Sequence, residues 1–134
     1  YKPLPVHIDE SARGSCSIVV ATDAPMTDRQ LRRMARRAIV GMAMTGSPLG
    51  NSSGDYAVAF SNYEKNLRNY KEEHIRSIDV LSDNRIDLFF EACVEAARES
   101  VYNALCMADD MTGIGGKEYK GVNPRDFASL LPLK

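Results

Sequence analysis

Two nucleophilic side chains stand together at the start of the stretch Ser15-Cys16-Ser17-Ile18-Val19-Val20, directly after Arg13-Gly14. A thiol is intrinsically the better nucleophile. Strand alternation, however, puts Ser15, Ser17 and Val19 on one face and Cys16, Ile18 and Val20 on the other, so Cys16 is expected to pack with Ile18 and Val20. Ser15 is then the outward candidate, and it lacks a base. The two histidines, His7 and His74, belong to no triad signature and have no Cys, Asp or Glu at metal-ligand spacing, so neither a catalytic dyad nor a metal site is expected. A serine without an imidazole needs another base, and its own α-amine can serve if Ser15 is the first residue of a mature chain. The competing reading from spacing alone is an ordinary serine at a strand start.

The elements around this pair can be read from periodicity. Residues 15–22 form a β-rich run ended by Asp23-Ala24-Pro25. Thr27-Asp28-Arg29-Gln30 is a capping box that opens a helix. Its apolar stripe is Leu31, Met34, Ala35, Ala38, Ile39 and Met42, with Arg29, Arg32, Arg33, Arg36 and Arg37 opposite as a solvated face. Thr45-Gly46-Ser47-Pro48 stops the helix, and Gly50-Asn51-Ser52-Ser53-Gly54-Asp55 is a turn-rich loop feeding a second strand, Tyr56–Phe60. A charged connector over 64–74 leads to a third predicted strand, Ile75–Leu81. A long helix is predicted from Asp83 to Met111, carrying Ile86, Phe89, Phe90, Cys93, Val94, Ala97, Val101, Ala104, Leu105 and Ala108 as its apolar stripe. Thr112-Gly113-Ile114-Gly115-Gly116 stops it, without the Lys-Ser/Thr of a phosphate loop. Asn123-Pro124 predicts a short last helix with Phe127, Leu130 and Leu131.

Composition limits the function classes. The 134 residues are 44% hydrophobic and 26% charged with a net charge of −1, which is globular and gives no electrostatic reason to expect nucleic acid or an anionic membrane as partner. No apolar run approaches the roughly 20 residues of a membrane span. Cys93 and Cys106 fall roughly 20 Å apart on one helix, too far for a disulfide. Three reduced thiols favour a reducing compartment, so a cytoplasmic location is expected, with a periplasmic one as the alternative. Two amphipathic helices need more sheet than two or three strands provide, so the chain reads as part of a sheet completed by other polypeptide.

"GSCSIVVATDAPMTDRQLRRMARRA", "TGSPLGNSSGDYAVAFSN" and "LFFEACVEAARESVYNALCMADDMTG" occur in that order. Together they resemble the N-terminal-nucleophile serine aminopeptidases, the L-aminopeptidase/D-esterase and β-peptidyl aminopeptidase family, over about residues 14–113. The resemblance implies an α+β chain forming part of a four-layer α/β/β/α sandwich. It also implies a precursor that cuts itself between Gly14 and Ser15. Residues 1–14 would then be the tail of an α subunit, and residues 15–134 the β subunit. The partners implied are that α subunit, further copies of the αβ unit in a homo-oligomer, and a small peptide or amide substrate. No cofactor is implied.

In that family pattern Ser15 attacks the substrate carbonyl and its freed amine is the base. Ser53 corresponds to a residue that hydrogen-bonds and orients the nucleophile. Asp55 corresponds to an acidic residue that holds the Ser15 ammonium or the substrate's amino terminus. The chain departs from the pattern at Cys16 and Ser17, where aliphatic residues are common. Two rivals follow from the same architecture: acyl transfer as in the ornithine acetyltransferases, which use a nucleophilic Thr, and a non-catalytic interaction module that stays uncut.

Overall fold

The fold grows from a β–α–β unit, seen in a computed structural model that describes residues 14–71 and 75–122. Strand β1 (Ser17–Thr22) and strand β2 (Tyr56–Ser61) pair in parallel, with Ile18 beside Ala57 and Val20 beside Ala59. A parallel pair needs a crossover, and helix α1 (Asp28–Ala43) supplies it. The capping box forms as its residues predict: Thr27 N–H donates to Gln30 Oε1 at 3.0 Å, and Gln30 N–H donates to Thr27 Oγ1 at 3.4 Å. At the other end Gly46 takes φ 101°, a conformation that glycine adopts without steric cost.

Helix α2 (Ile86–Cys106) packs beside α1, and both cover one face of the strand pair. The core joins Met34 and Ala38 of α1, Ile86, Phe90, Cys93 and Ala97 of α2, and the half-buried Ile18, Val20, Ala57 and Ala59 of the strands. Burial pushes the Cys93 thiol pKa up, as suits an inert packing thiol. Gly41 sets how closely the helices approach: a Cβ there would lie 2.5 Å from the Val94 carbonyl oxygen and 2.9 Å from Ala97 Cβ. Gly41→Ala is therefore expected to destabilise the full-length protein by about 1–3 kcal/mol, overriding its gain in helix propensity. Chemical denaturation of the two proteins measures this, and equal midpoints would contradict it.

Gln30 joins the helix start to the chain entering α2. It is 1% exposed, and its amide nitrogen donates to Leu81 O at 2.7 Å and Asp83 Oδ1 at 2.8 Å. Gln30→Leu, similar in size but without these bonds, leaves the carbonyl of the half-buried Leu81 without its donor and is expected to cost about 1–3 kcal/mol, read from the thermal midpoint. Asp83 also accepts from Arg29 at 2.6 Å, and these two hydrogen bonds, the Arg29 one foremost, hold its carboxyl below the usual carboxylate range.

Three expectations change. The Ile75–Leu81 segment is not a strand: it runs as an irregular segment, tied by Leu81 N–H to Pro25 O at 2.7 Å and by Asp79 N–H to Asn66 Oδ1 at 3.0 Å. Its apolar residues have no neighbouring strand to pair with among the described residues. The long helix is shorter than Asp83–Met111: residues Asp83–Arg85 form a 3₁₀ turn, while Met111–Thr112 pairs antiparallel with Glu118–Tyr119 as strands β3 and β4. Its stripe is buried only through Ala97, beyond which Ala104 and Leu105 are exposed. The arginine face is not uniformly solvated either. Arg33 and Arg37 lie over the Phe90 ring, 5.0 and 4.2 Å from its centroid, because α2 runs alongside their flank of α1. The predicted last helix, His7 and His74 lie outside the described residues.

The other face of the strand pair is bare. Val19, Tyr56, Val58 and Phe60 are 66%, 73%, 57% and 48% exposed, and the outer edge of each strand is unpaired among the described residues. Four large apolar side chains on one open sheet face are more than a lone domain ordinarily leaves in water.

Candidate active site

The sheet ends where the chemistry is placed. Tyr56 N–H donates to Cys16 O at 2.9 Å, opening the parallel ladder, and this draws the loop before β2 against the residues before β1. Asp55, at the loop's end, becomes a bridge. Its Oδ1 accepts the Cys16 N–H at 2.9 Å, and its Oδ2 accepts the Ser53 hydroxyl at 2.7 Å. Ser15 is thus brought together with Ser53 and Asp55, which are far from it in sequence.

The contact to the nucleophile comes from the backbone. Gly54 N–H donates to Ser15 Oγ at 3.0 Å. The resemblance assigns that orienting bond to the Ser53 side chain, whose hydroxyl instead points to Asp55. A backbone donor has no residue signature, so sequence reading had no means of finding it. It occupies one lone pair of Ser15 Oγ, leaving the hydroxyl proton free for a base and the other lone pair free for an electrophile. It also stabilises negative charge that develops on the oxygen as its proton departs. A Cβ on residue 54 would stand 3.6 Å from Ser15 Oγ, so the loop backbone passes close beside the nucleophile.

Ser15 is exposed at the rim of a cleft of about 370 Å³, lined in part by Cys16, Met42, Pro48, Ser53 and Asp55. Met42 reaches it from the last turn of α1, and Pro48 from the loop that follows. In that loop Leu49 sits at φ 50°, a left-handed conformation that costs a non-glycine residue roughly 1–2 kcal/mol. Cys16 is half-buried and lines this cleft, so it stands apart from the core formed by Ile18 and Val20. Among the described residues no group of three His, Cys, Asp or Glu side chains is placed to hold a metal ion, and no helix is long and apolar enough to cross a membrane.

Known proteins resemble this chain in sequence and fold. The model of peptidase family S58 matches residues 2–119. The β-peptidyl aminopeptidase BapA of Sphingosinicella microcystinivorans is 41% identical over 118 residues, which are 88% of this chain and 30% of that protein. A solved structure from Pyrococcus horikoshii OT3 is 39% identical, with a TM-score of 0.79 over 91% of this chain and 34% of its own. The L-aminopeptidase D-Ala-esterase/amidase of Ochrobactrum anthropi, described as a variant of the Ntn hydrolase fold, is 31% identical with a TM-score of 0.76, over 84% of this chain and 32% of its own. The chain therefore spans about a third of the length of these relatives, and its mixed α/β layers correspond to part of that N-terminal-nucleophile fold. With the family pattern running from residue 2 through β4, and relatives alike in both sequence and fold, this chain belongs to peptidase family S58.

Proposed function

We propose that this chain carries the nucleophile of a self-processing serine aminopeptidase, which releases N-terminal residues from small peptides, amides or esters. The observation that carries the reading is the meeting of the Gly14-Ser15 junction with the Ser53-Gly54-Asp55 loop, joined by the Gly54 N–H to Ser15 Oγ bond and the Asp55 bridge.

In the precursor, Ser15 Oγ attacks the Gly14 carbonyl and the Gly14–Ser15 C–N bond breaks. Gly14 is then held as an ester on Ser15, whose nitrogen has become a free amine. Water hydrolyses the ester, separating an α portion ending at Gly14 from a β portion that begins with the nucleophile. In turnover the Ser15 amine takes the hydroxyl proton as Oγ attacks the substrate carbonyl. The proton passes to the leaving amine, and water then hydrolyses the acyl-enzyme. Asp55, already bonded one residue downstream at the Cys16 N–H, supplies the negative charge that holds the new ammonium or the substrate's amino terminus. The bare face of Val19, Tyr56, Val58 and Phe60 is suited to the α portion as cover.

The experiment is an assay of the full-length protein against amino-acid amides, beside an assay of acetyl transfer to glutamate. Amide hydrolysis without transfer supports the aminopeptidase reading. Transfer without hydrolysis assigns the site to acyl exchange, and neither activity overturns an enzymatic role.

A further inference from the structure

Met42 is buried without belonging to the core. It is 5% exposed, yet the buried cluster that joins the helices takes only Met34 and Ala38 from α1. Met42 instead lines the cleft beside Ser15. Burial deepens along that cleft from the exposed Ser15 and Pro48, through the half-buried Cys16, to Met42. Met42 is therefore its floor, and this chain builds that floor alone, whatever polypeptide roofs the cleft. The polar groups nearby are engaged with one another: Ser53 Oγ donates to Asp55 at 2.7 Å, and Ser47 Oγ accepts the Leu49 N–H at 3.4 Å. A charged side chain reaching the floor would leave water without gaining a partner, whereas an apolar one buries carbon against Met42 and Cys16.

We infer that Met42 sets the size of the N-terminal residue that the site releases: the cleft receives that residue's side chain, and Met42 closes its inner end. The inference rests on the aminopeptidase reading and adds a substrate class to it, peptides and amides whose first residue carries an apolar side chain. The chain's own junction indicates which part of a substrate lies here. In self-cleavage Ser15 Oγ attacks the Gly14 carbonyl, so the acyl residue of a substrate takes the place that Gly14 holds in the uncut chain. Gly14 itself borders the cleft. A Cβ on it would meet no atom of the described residues within 4 Å, its chain neighbours aside, so a side chain at that place has open space. Methionine suits a floor that meets more than one shape, being unbranched and polarisable. Its place in the last turn of α1 fixes the depth, because a helix holds a side chain more firmly than a loop does.

The test is the ratio of kcat/KM for phenylalanine amide to kcat/KM for alanine amide, measured on the purified full-length protein. The amount of active enzyme cancels in that ratio. Met42→Val and Met42→Ala lower the floor in two steps and are expected to raise the ratio about 10-fold and about 100-fold. Met42→Leu, close in volume, keeps it within a few-fold of wild type. Met34→Ala empties a core position of the same helix that does not line the cleft, and it leaves the ratio unmoved, which separates pocket depth from general loosening. Met42→Val, the milder truncation, carries the test if Met42→Ala does not fold. Wild type is also expected to favour leucine amide over lysine amide by about 10-fold or more. A wild-type ratio in active Met42→Val, an equal rise in Met34→Ala, or a preference for lysine amide overturns this inference and leaves the aminopeptidase reading standing. A wild type that hydrolyses none of these amides overturns both.

Discussion

Ser15→Ala is expected to lower hydrolysis of amino-acid amides by the full-length protein on the order of 10⁴-fold or more, since it removes the atom that forms the acyl-enzyme. The loss falls on kcat, and the burst of first product is abolished with it. Folding should hardly change. Ser15 is exposed, and among the described residues the one bond of its hydroxyl is with the Gly54 N–H. In the variant that donor opens to the cleft, where water satisfies it. Ser15→Cys is the sharper companion, because it keeps a nucleophile and the α-amine while lengthening the reach to the carbonyl. Residual activity in Ser15→Cys but not in Ser15→Ala places the chemistry on this side chain. Full activity in Ser15→Ala removes it from the site.

Asp55→Asn is expected to lower kcat by about 10²–10³-fold while leaving the fold intact, because it separates charge from geometry. The carboxylate accepts two donors, the Cys16 N–H and the Ser53 hydroxyl. An amide has one acceptor oxygen and one NH₂. Its oxygen can stay on the Cys16 N–H, which cannot turn away, while the Ser53 hydroxyl rotates to accept from the NH₂. Both loop contacts survive, and the negative charge at the Cys16 N–H, one residue from Ser15, is lost. Asp55→Ala loses the contacts as well, so it should show both the kinetic defect and a lower thermal midpoint. Steady-state kinetics and thermal unfolding on the two variants separate these effects. An Asn variant with wild-type kcat means the charge plays no part.

The sequence made legible those features that local chemistry dictates. Strand alternation placed Ile18 and Val20 inward and Val19 outward, and the Thr27–Gln30 box marked the first turn of α1. The shortage of strands is visible as the bare face of Tyr56, Val58 and Phe60. Residues 75–81 misled because their apolar content matches a strand, but strand formation also needs a neighbour with free backbone groups. Gly41 gave no signal: inside a helix it reads as a weak helix former, and only the crossing of α2 makes its missing Cβ necessary. In sequence Gln30 is legible only as a cap, because its second task of holding Leu81 and Asp83 depends on tertiary placement. The Gly54 N–H is the clearest case. Position 54 had meaning in the loop pattern, yet the group that touches Ser15 belongs to every residue type except proline.

The central claim is that Ser15 becomes the first residue of a chain, and intact-mass measurement of the purified full-length protein tests it most directly. Wild type should give two polypeptides, the smaller starting at Ser15, and Ser15→Ala a single uncut chain. A wild type that stays one polypeptide through Gly14-Ser15, yet hydrolyses amino-acid amides, would contradict the account, because an acylated Ser15 nitrogen cannot serve as the base.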